Sequence, residues 1–235
     1  MSKQKKIIHA VSIIDRSGSM TSYRSRTIEG INTNIAALKA EVDADTEIIN
    51  TQLQFASLDS AWNAPINTER DFIFTRVGVP VQNLVDMTEA DYVTGGGTPL
   101  IDAIGHAIEK VKEFHGDKLG DDNLKIIVTV FTDGEENSSQ KWKRDDVKKM
   151  IEHFQSDGKW TFTFVGCGSF DSVSNTSTSY GISASNTVAY ADSDLGRHEA
   201  YSKIATSYSN FTRAAKRGVV DNDLFTEKAM PEEKK

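Results

Sequence analysis

The sequence predicts an α/β protein built on a mostly parallel sheet, and three observations carry that prediction. Short, apolar, β-branched runs alternate with longer stretches of helical periodicity. From residue 99 onward the order is helix, strand, helix, strand, a rhythm that covers a parallel sheet with helices on both faces. Three of the strand-like runs or their following loops end in clusters of Asp, Ser, Thr and Gly, where open α/β sheets build their binding crevice. With 235 residues, the chain is long enough for one large domain with a full core.

The first run, residues 7–14, is β-branched and apolar enough to be a buried strand. After Ser19 a helix is expected over about 22–42, with Ile28, Ile31, Ile35 and Leu38 on one face. Two strand-like runs follow, 46–56 and 70–77, linked by turn chemistry at Asp59, Asn63, Pro65 and Asn67. Two strands joined without a helix predict an antiparallel pair at one sheet edge. Behind Pro99, which suits a first helical turn, Leu100, Ile101, Ile104, Ile108 and Val111 recur at helical spacing. The apolar run 126–131 is the next strand. A helix over 144–155 is expected to bury Val147, Met150, Ile151 and Phe154, and 160–166 follows as a strand. Residues 169–185 are dense in Ser, Thr and Asn, yet Val173 and Tyr180 to Ile182 leave room for a short helix. A last strand is expected over 187–191. Tyr201, Ile204, Tyr208 and Phe211 then mark a final helix ending near Arg217 and Gly218, and a frayed tail is expected beyond Asn222. No internal repeat is visible.

Composition narrows the function. Hydrophobic residues make up 38% and charged residues 26%, ordinary for a soluble globule, and the net charge of −7 comes without a basic stripe, so nucleic-acid binding is not expected. The lysines of 141–149 alternate with Asp145 and Asp146, as on a solvated helix start. The single cysteine, Cys167, is expected to be a buried core thiol and permits no intrachain disulfide. A basic N-terminus before an apolar stretch resembles a signal peptide. The stretch is short, lacks a small-residue cleavage site and runs into the first polar motif, so a cytoplasmic location is expected. No run is long enough to span a membrane.

The chemistry lies in Asp15-Arg16-Ser17-Gly18-Ser19-Met20. One carboxylate and two hydroxyls at alternate positions after a strand can be aimed at one point, and such hard oxygen donors suit Mg²⁺ or Mn²⁺ rather than Zn²⁺. Taken alone, the same residues also read as a helix cap. A second motif is Gly95-Gly96-Gly97-Thr98-Pro99-Leu100, in which no Gly-Lys-Ser or Gly-Lys-Thr follows to form a nucleotide cradle. A third is Phe131-Thr132-Asp133-Gly134.

Together, in this order, the DxSxS pattern, the glycine-rich Thr loop and the second Asp resemble the metal-ion-dependent adhesion site of von Willebrand factor A domains. The resemblance covers about residues 6–218, leaving 1–5 and 219–235 as polar termini. It implies a three-layer, doubly wound, Rossmann-like fold with a six-stranded sheet in the order 3-2-1-4-5-6 and one antiparallel edge strand. It further implies that Asp15, Ser17 and Ser19 hold Mg²⁺ or Mn²⁺ (Ca²⁺ also fits) directly, Thr98 directly or through water, and Asp133 through water. A partner protein would complete the coordination with an Asp or Glu. TDGEEN, WTFTFVGCG and YGIS look like stand-alone A-domain proteins of bacteria and their phages. Such proteins suggest, as an alternative, a regulatory or assembly role in a stress-response or ATPase system.

A metal-dependent hydrolase is the weaker alternative. Glu135 is the only obvious base near the motifs, and the five histidines show no HExxH spacing. The expectation is therefore a binding protein, not an enzyme. His9 is expected to be a hydrogen-bonded core residue, His115 and His153 to face solvent, and His106 to face away from its helix's apolar stripe. Glu135 and Glu136 are read mainly as favouring the start of the next helix, and secondarily as charges that select the partner. Asp15→Ala is expected to abolish metal binding with the fold intact, because the site should lie on surface loops.

Overall fold

Strand β1, Lys6–Asp15, runs through the middle of the sheet and is buried over its last eight residues. It pairs in parallel with β2, Thr46–Phe55, on one side and with β4, Leu124–Thr132, on the other. Beyond β2 lies β3, Phe72–Pro80, the antiparallel edge, and beyond β4 lie β5, Trp160–Cys167, and β6, Thr187–Tyr190. The resulting order, β3-β2-β1-β4-β5-β6, is the one expected. The computed structural model describes residues 5–59, 65–133, 135–191, 193–220 and 223–225. Asn63, Gly134 and residues 226–235 lie outside the described residues, whereas 223–225, expected to fray, bond back to Ser185 and Asn186.

The near-continuous apolar character of β1 and β4 follows from coverage on both faces. Along β1 the side chains alternate between two cores. Ile8, Ala10 and Ile14 meet α1 (Arg24–Ala40) and α6 (Asp194–Lys216), while Val11 and Ile13 meet the face covered by α3 (Leu100–His115) and α4 (Arg144–Ser156). The α1–α6 contact depends on Gly30, since a Cβ there would run into the Tyr201 ring. The other two helices are a single turn, α2 (Thr68–Asp71), and α5 (Phe170–Ser179), which packs Val173 into the α3–α4 core.

Several local expectations shift for identifiable reasons. Residues Gly18–Tyr23 form a 3₁₀ segment, so α1 starts at Arg24. The Asn67 side chain accepts from Arg70 N–H and nucleates α2, which delays β3 to Phe72. The Ser169 side chain caps α5 in the same way, making a helix of the Ser/Thr-rich stretch. Met150 and Phe154 are only partly buried, and Cys167 sits half-buried at the margin of the α1–α6 core rather than inside it. No helix among the described residues is long and apolar enough to cross a membrane.

His115 departs most from expectation, because it is buried while His153 is exposed as expected. It closes a chain across four elements, β3, β2, β1 and α3. The Gly78 N–H donates to Thr51 Oγ1 (3.0 Å), Thr51 Oγ1 meets His9 Nε2 (2.7 Å), and His9 Nδ1 meets His115 Nε2 (2.8 Å). Thr51 and His115 thus engage both ring nitrogens of His9. Burial, reinforced by the neighbouring imidazole, lowers His9 to about 3, and burial with the nearby Lys118 lowers His115 to about 4. His106, by contrast, is half-buried between the rings of Phe72 (4.6 Å) and Trp142 (4.7 Å).

Both imidazoles titrate below the usual 6.5 in the folded chain, so the unfolded chain takes up protons first as pH falls. Stability should therefore decline from about pH 6.5 downward, by about 2 kcal/mol for each imidazole at pH 5. Urea midpoints measured from pH 7.5 to 4.5 check this. A midpoint flat down to pH 5 would show that the histidine chain does not couple protonation to folding.

Candidate metal centre

The centre is assembled at the carboxyl ends of β1 and β4. Asp15 is the last residue of β1 and fully buried. Its Oδ1 accepts from Ser17 N–H (2.7 Å), closing a tight turn, and its Oδ2 accepts from the Thr132 hydroxyl (2.6 Å) at the end of β4. The buried Tyr92 hydroxyl donates to the Asp15 carbonyl. Asp15 therefore lies in the strand and the core, not on a surface loop, and its removal would strand the Thr132 hydroxyl and Ser17 N–H. The variant expected to be purely functional is also a structural one.

From this joint the hydroxyls line up. Ser17 Oγ lies 3.2 Å from Ser19 Oγ, and the Ser19 hydroxyl lies 2.8 Å from Asp133 Oδ1, donating to it. Ser17 is buried, Asp133 half-buried and Ser19 exposed, so the row climbs from the core to the surface. Thr98 arrives on a second loop sewn to the first by backbone bonds. Gly18 N–H donates to the Gly96 carbonyl (3.0 Å), and Gly95 N–H to the Arg16 carbonyl (2.8 Å). Gly96 has φ +77°, and a Cβ there would collide with the Ser57 carbonyl, so the close approach requires glycine. Thr98 is 3% exposed, and its hydroxyl bonds no other described residue.

A third loop locks onto the second. Asn137 Oδ1 accepts from Thr98 N–H (2.8 Å), and Asn137 N–H donates to the Thr98 carbonyl (3.1 Å). Glu136 spends its charge internally. Oε2 accepts from the Ile101 N–H of α3 (2.8 Å) and the Ser139 hydroxyl (2.6 Å), and Oε1 from the N–H groups of Ser138 (2.9 Å) and Ser139 (2.7 Å). It serves the start of α3, earlier in the chain, rather than the helix that follows it. The buried Asp102 completes the lock by accepting from the N–H groups of Gln140 (2.7 Å) and Trp142 (2.9 Å). Glu135 is left exposed.

The donor set fits a small divalent cation. In an octahedron with Mg–O bonds of about 2.1 Å, adjacent oxygens lie about 2.9 Å apart. The 3.2 Å spacing of the Ser17 and Ser19 hydroxyls is close to that edge, and Asp133 stands one hydrogen bond (2.8 Å) beyond Ser19. Among the described residues, no three His, Cys, Asp or Glu side chains cluster as a metal site. Burial raises the Asp15 carboxyl to about 6, while its bonds from Thr132 and Ser17 pull the other way and the Asp133 charge adds to the rise. A cation beside it would favour the ionised form.

Thus the structure brings Ser17, Ser19 and Asp133 into one hydrogen-bonded row, ties Asp15 to it through Ser17, and carries Thr98 beside it on a bonded loop. Sequence reasoning passed over the roles of Thr132, Tyr92, Asn137 and Asp102. Thr132 offered a signal, standing beside Asp133 in the third motif. Tyr92 and Asp102 offered none, because their partners are remote in sequence.

No protein-family model matches the chain, and no curated protein matches it. Solved structures do. The pilus adhesin SpaC from Lactobacillus rhamnosus GG, in its open conformation, is 13% identical, with a TM-score of 0.63 over 88% of this chain and 31% of its own. The SpRpn10 VWA domain is 9% identical, with a TM-score of 0.51 over 84% of this chain and 94% of its own. The fold is von Willebrand factor A-like. Proximal thread matrix protein 1 from the mussel byssus is 13% identical, with a TM-score of 0.53 over 89% of this chain and 46% of its own. The chain thus spans less than half the length of the adhesin and of the byssus protein. At these identities, the A-domain likeness extends to the fold alone.

The loop lock makes a prediction of its own. Glu136→Ala leaves the N–H groups of Ile101, Ser138 and Ser139 without their acceptor, and should cost about 1–3 kcal/mol. Urea unfolding of the variant measures the loss. An unchanged midpoint would mean that water replaces the carboxylate at no cost and that the loop does not depend on it.

Proposed function

We propose that this A-like domain is a divalent-metal-dependent protein-binding module. Ser17 and Ser19 hold the ion directly, Thr98 directly or through water, Asp133 through water, and Asp15 either as a ligand or through the turn it closes. The observation that carries the proposal is the pair of hydroxyls Ser17 and Ser19, which stand 3.2 Å apart, near octahedral-edge spacing, with Asp133 one hydrogen bond (2.8 Å) beyond Ser19. When bound, Mg²⁺ or Mn²⁺ supplies an electrophilic position for a carboxylate from a partner protein. The chain's own residues do the rest. The neutral hydroxyls limit the negative charge around the ion, Asp15 orients the first turn, and the Gly95–Gly97 loop holds Thr98 beside it.

Protein binding is favoured over catalysis because the exposed Glu135 is the one candidate base, and no hydrogen bond orients it among the described residues. The fold supports the same choice, since A-like domains commonly serve as protein-interaction modules and one neighbour is an adhesin. A reducing, cytoplasmic setting and a bacterial or phage context belong to the same proposal. So does the alternative of a regulatory or assembly factor, which would use the same binding site.

Mg²⁺ should raise the melting temperature and EDTA should reverse the rise, with a stabilisation of about 2.7 kcal/mol at a hundredfold excess over the dissociation constant. Ser19→Ala and Asp133→Ala should each abolish the response, with melting in EDTA close to that of the parent. Capture from a lysate with and without EDTA then tests the partner. A parent protein that ignores Mg²⁺ and Mn²⁺ in melting would overturn the metal reading, and partners retained equally in EDTA would move the binding surface elsewhere.

A further inference from the structure

Arg197 stands out as a guanidinium buried deep in the fold, 1% exposed, near the start of α6. Its Cζ lies 3.1 Å from the centre of the Tyr23 ring and 4.8 Å from that of Tyr190, and its Nη1 donates to the Tyr190 hydroxyl (3.0 Å). Tyr23 ends the 3₁₀ segment that begins at Gly18 and contains Ser19. One turn along α6, Tyr201 stacks on Phe131 (5.5 Å between ring centres, 15° between planes), two residues before Asp133. The same end of α6 therefore grips the chain just after the first metal motif and just before the third.

That grip matters because the segment between is weak by itself. A 3₁₀ turn has poor hydrogen-bond geometry, and Ser17 gives this one no side-chain cap. Its anchors are the buried Met20, the contact between the Thr21 and Thr94 hydroxyls (2.9 Å), and Tyr23 against Arg197. The electrostatics place Arg197 close to the centre. Its charge and that of Asp133 act on the same two phenols, Tyr190 and Tyr201, in opposite directions. A buried guanidinium is costly to desolvate, and an apolar side chain of similar volume would often serve stability as well. Its planar stacking and directed donation serve orientation instead.

We infer that Arg197 is a positioning residue for the metal centre: stacked on Tyr23, it holds the Gly18–Tyr23 turn so that the Ser19 hydroxyl stays against Asp133. The inference rests on the metal-binding reading. It assigns to α6, which supplies none of the proposed ligands, a direct hold on divalent affinity.

The test is a double-mutant cycle on the 235-residue chain, reading the Mg²⁺ dissociation constant by calorimetry and urea stability in EDTA on the same samples. Arg197→Met and the half-exposed Tyr23→Leu should each weaken Mg²⁺ about tenfold. The double variant should bind no more weakly than either single one, because both remove the same contact. Arg197→Lys, which keeps the charge without the planar stack, should recover part of the loss. A purely structural role would lower stability in EDTA without this coupling. If Arg197→Met does not fold, Tyr23→Leu and Arg197→Lys carry the test. Affinities within twofold of the parent, or losses that add in the double variant, overturn the inference. A parent chain that binds no Mg²⁺ fails the metal reading first, and the inference with it.

Discussion

A buried carboxylate at the end of the central strand organises the rest of this site. Asp15 is enclosed by the two strands that flank β1, and a charge-bearing group there is tolerated only if its oxygens are matched by donors. The donors are the Thr132 hydroxyl and the Ser17 N–H. Meeting that need fixes two things together: the register of the β4 terminus against β1, and the sharp turn that brings Ser17 and Ser19 round. Tyr92, donating to the Asp15 carbonyl, holds the same joint from the backbone side.

The loops then form a hierarchy. The first rests on the strand joint, the glycine-rich loop is hydrogen-bonded to the first, and residues 136–142 are clamped onto the second through Asn137, Glu136 and Asp102. This ordering also edits the charge that a partner meets. The four acidic side chains in or beside the motifs are Asp15, Asp133, Glu135 and Glu136. Asp15 and Glu136 are held by internal hydrogen bonds, Asp133 is half-buried and accepts from Ser19, and Glu135 is exposed. For the carboxylate partner proposed above, a rim less acidic than the sequence suggests would be the better host.

The two faces of the sheet divide the labour differently. Against α3 and α4 the apolar core is interrupted by the buried chain of Thr51, His9 and His115. Against α1 and α6 it includes a buried hydroxyl network, in which Tyr208 and Thr163 both bond Thr129. Such a network rigidifies when satisfied, because each hydroxyl has few alternative partners once water is excluded. The α6 helix is thereby held to the sheet along its length by polar as well as apolar contacts, while its first turns reach the metal loops.

What the sequence determined by itself was whatever depends on neighbours in the chain. Apolar periodicity marked every strand and long helix, the missing helix between β2 and β3 marked the antiparallel edge, and three short motifs marked Asp15, Ser17, Ser19, Thr98 and Asp133 as a set of hard donors. These are local signals, in which side-chain period and donor type are written residue by residue. Only the tertiary structure decided which oxygens meet, that Asp15 is buried at the end of its strand rather than exposed on a loop, that Glu136 serves α3, and that His115 turns inward to His9. Each of those outcomes is a contact between residues far apart in the chain, set by how the strands and helices pack. The hydrogen-bonding capacity of Asp, Glu and His is legible in a sequence, but the partner that satisfies it on burial is chosen by the fold.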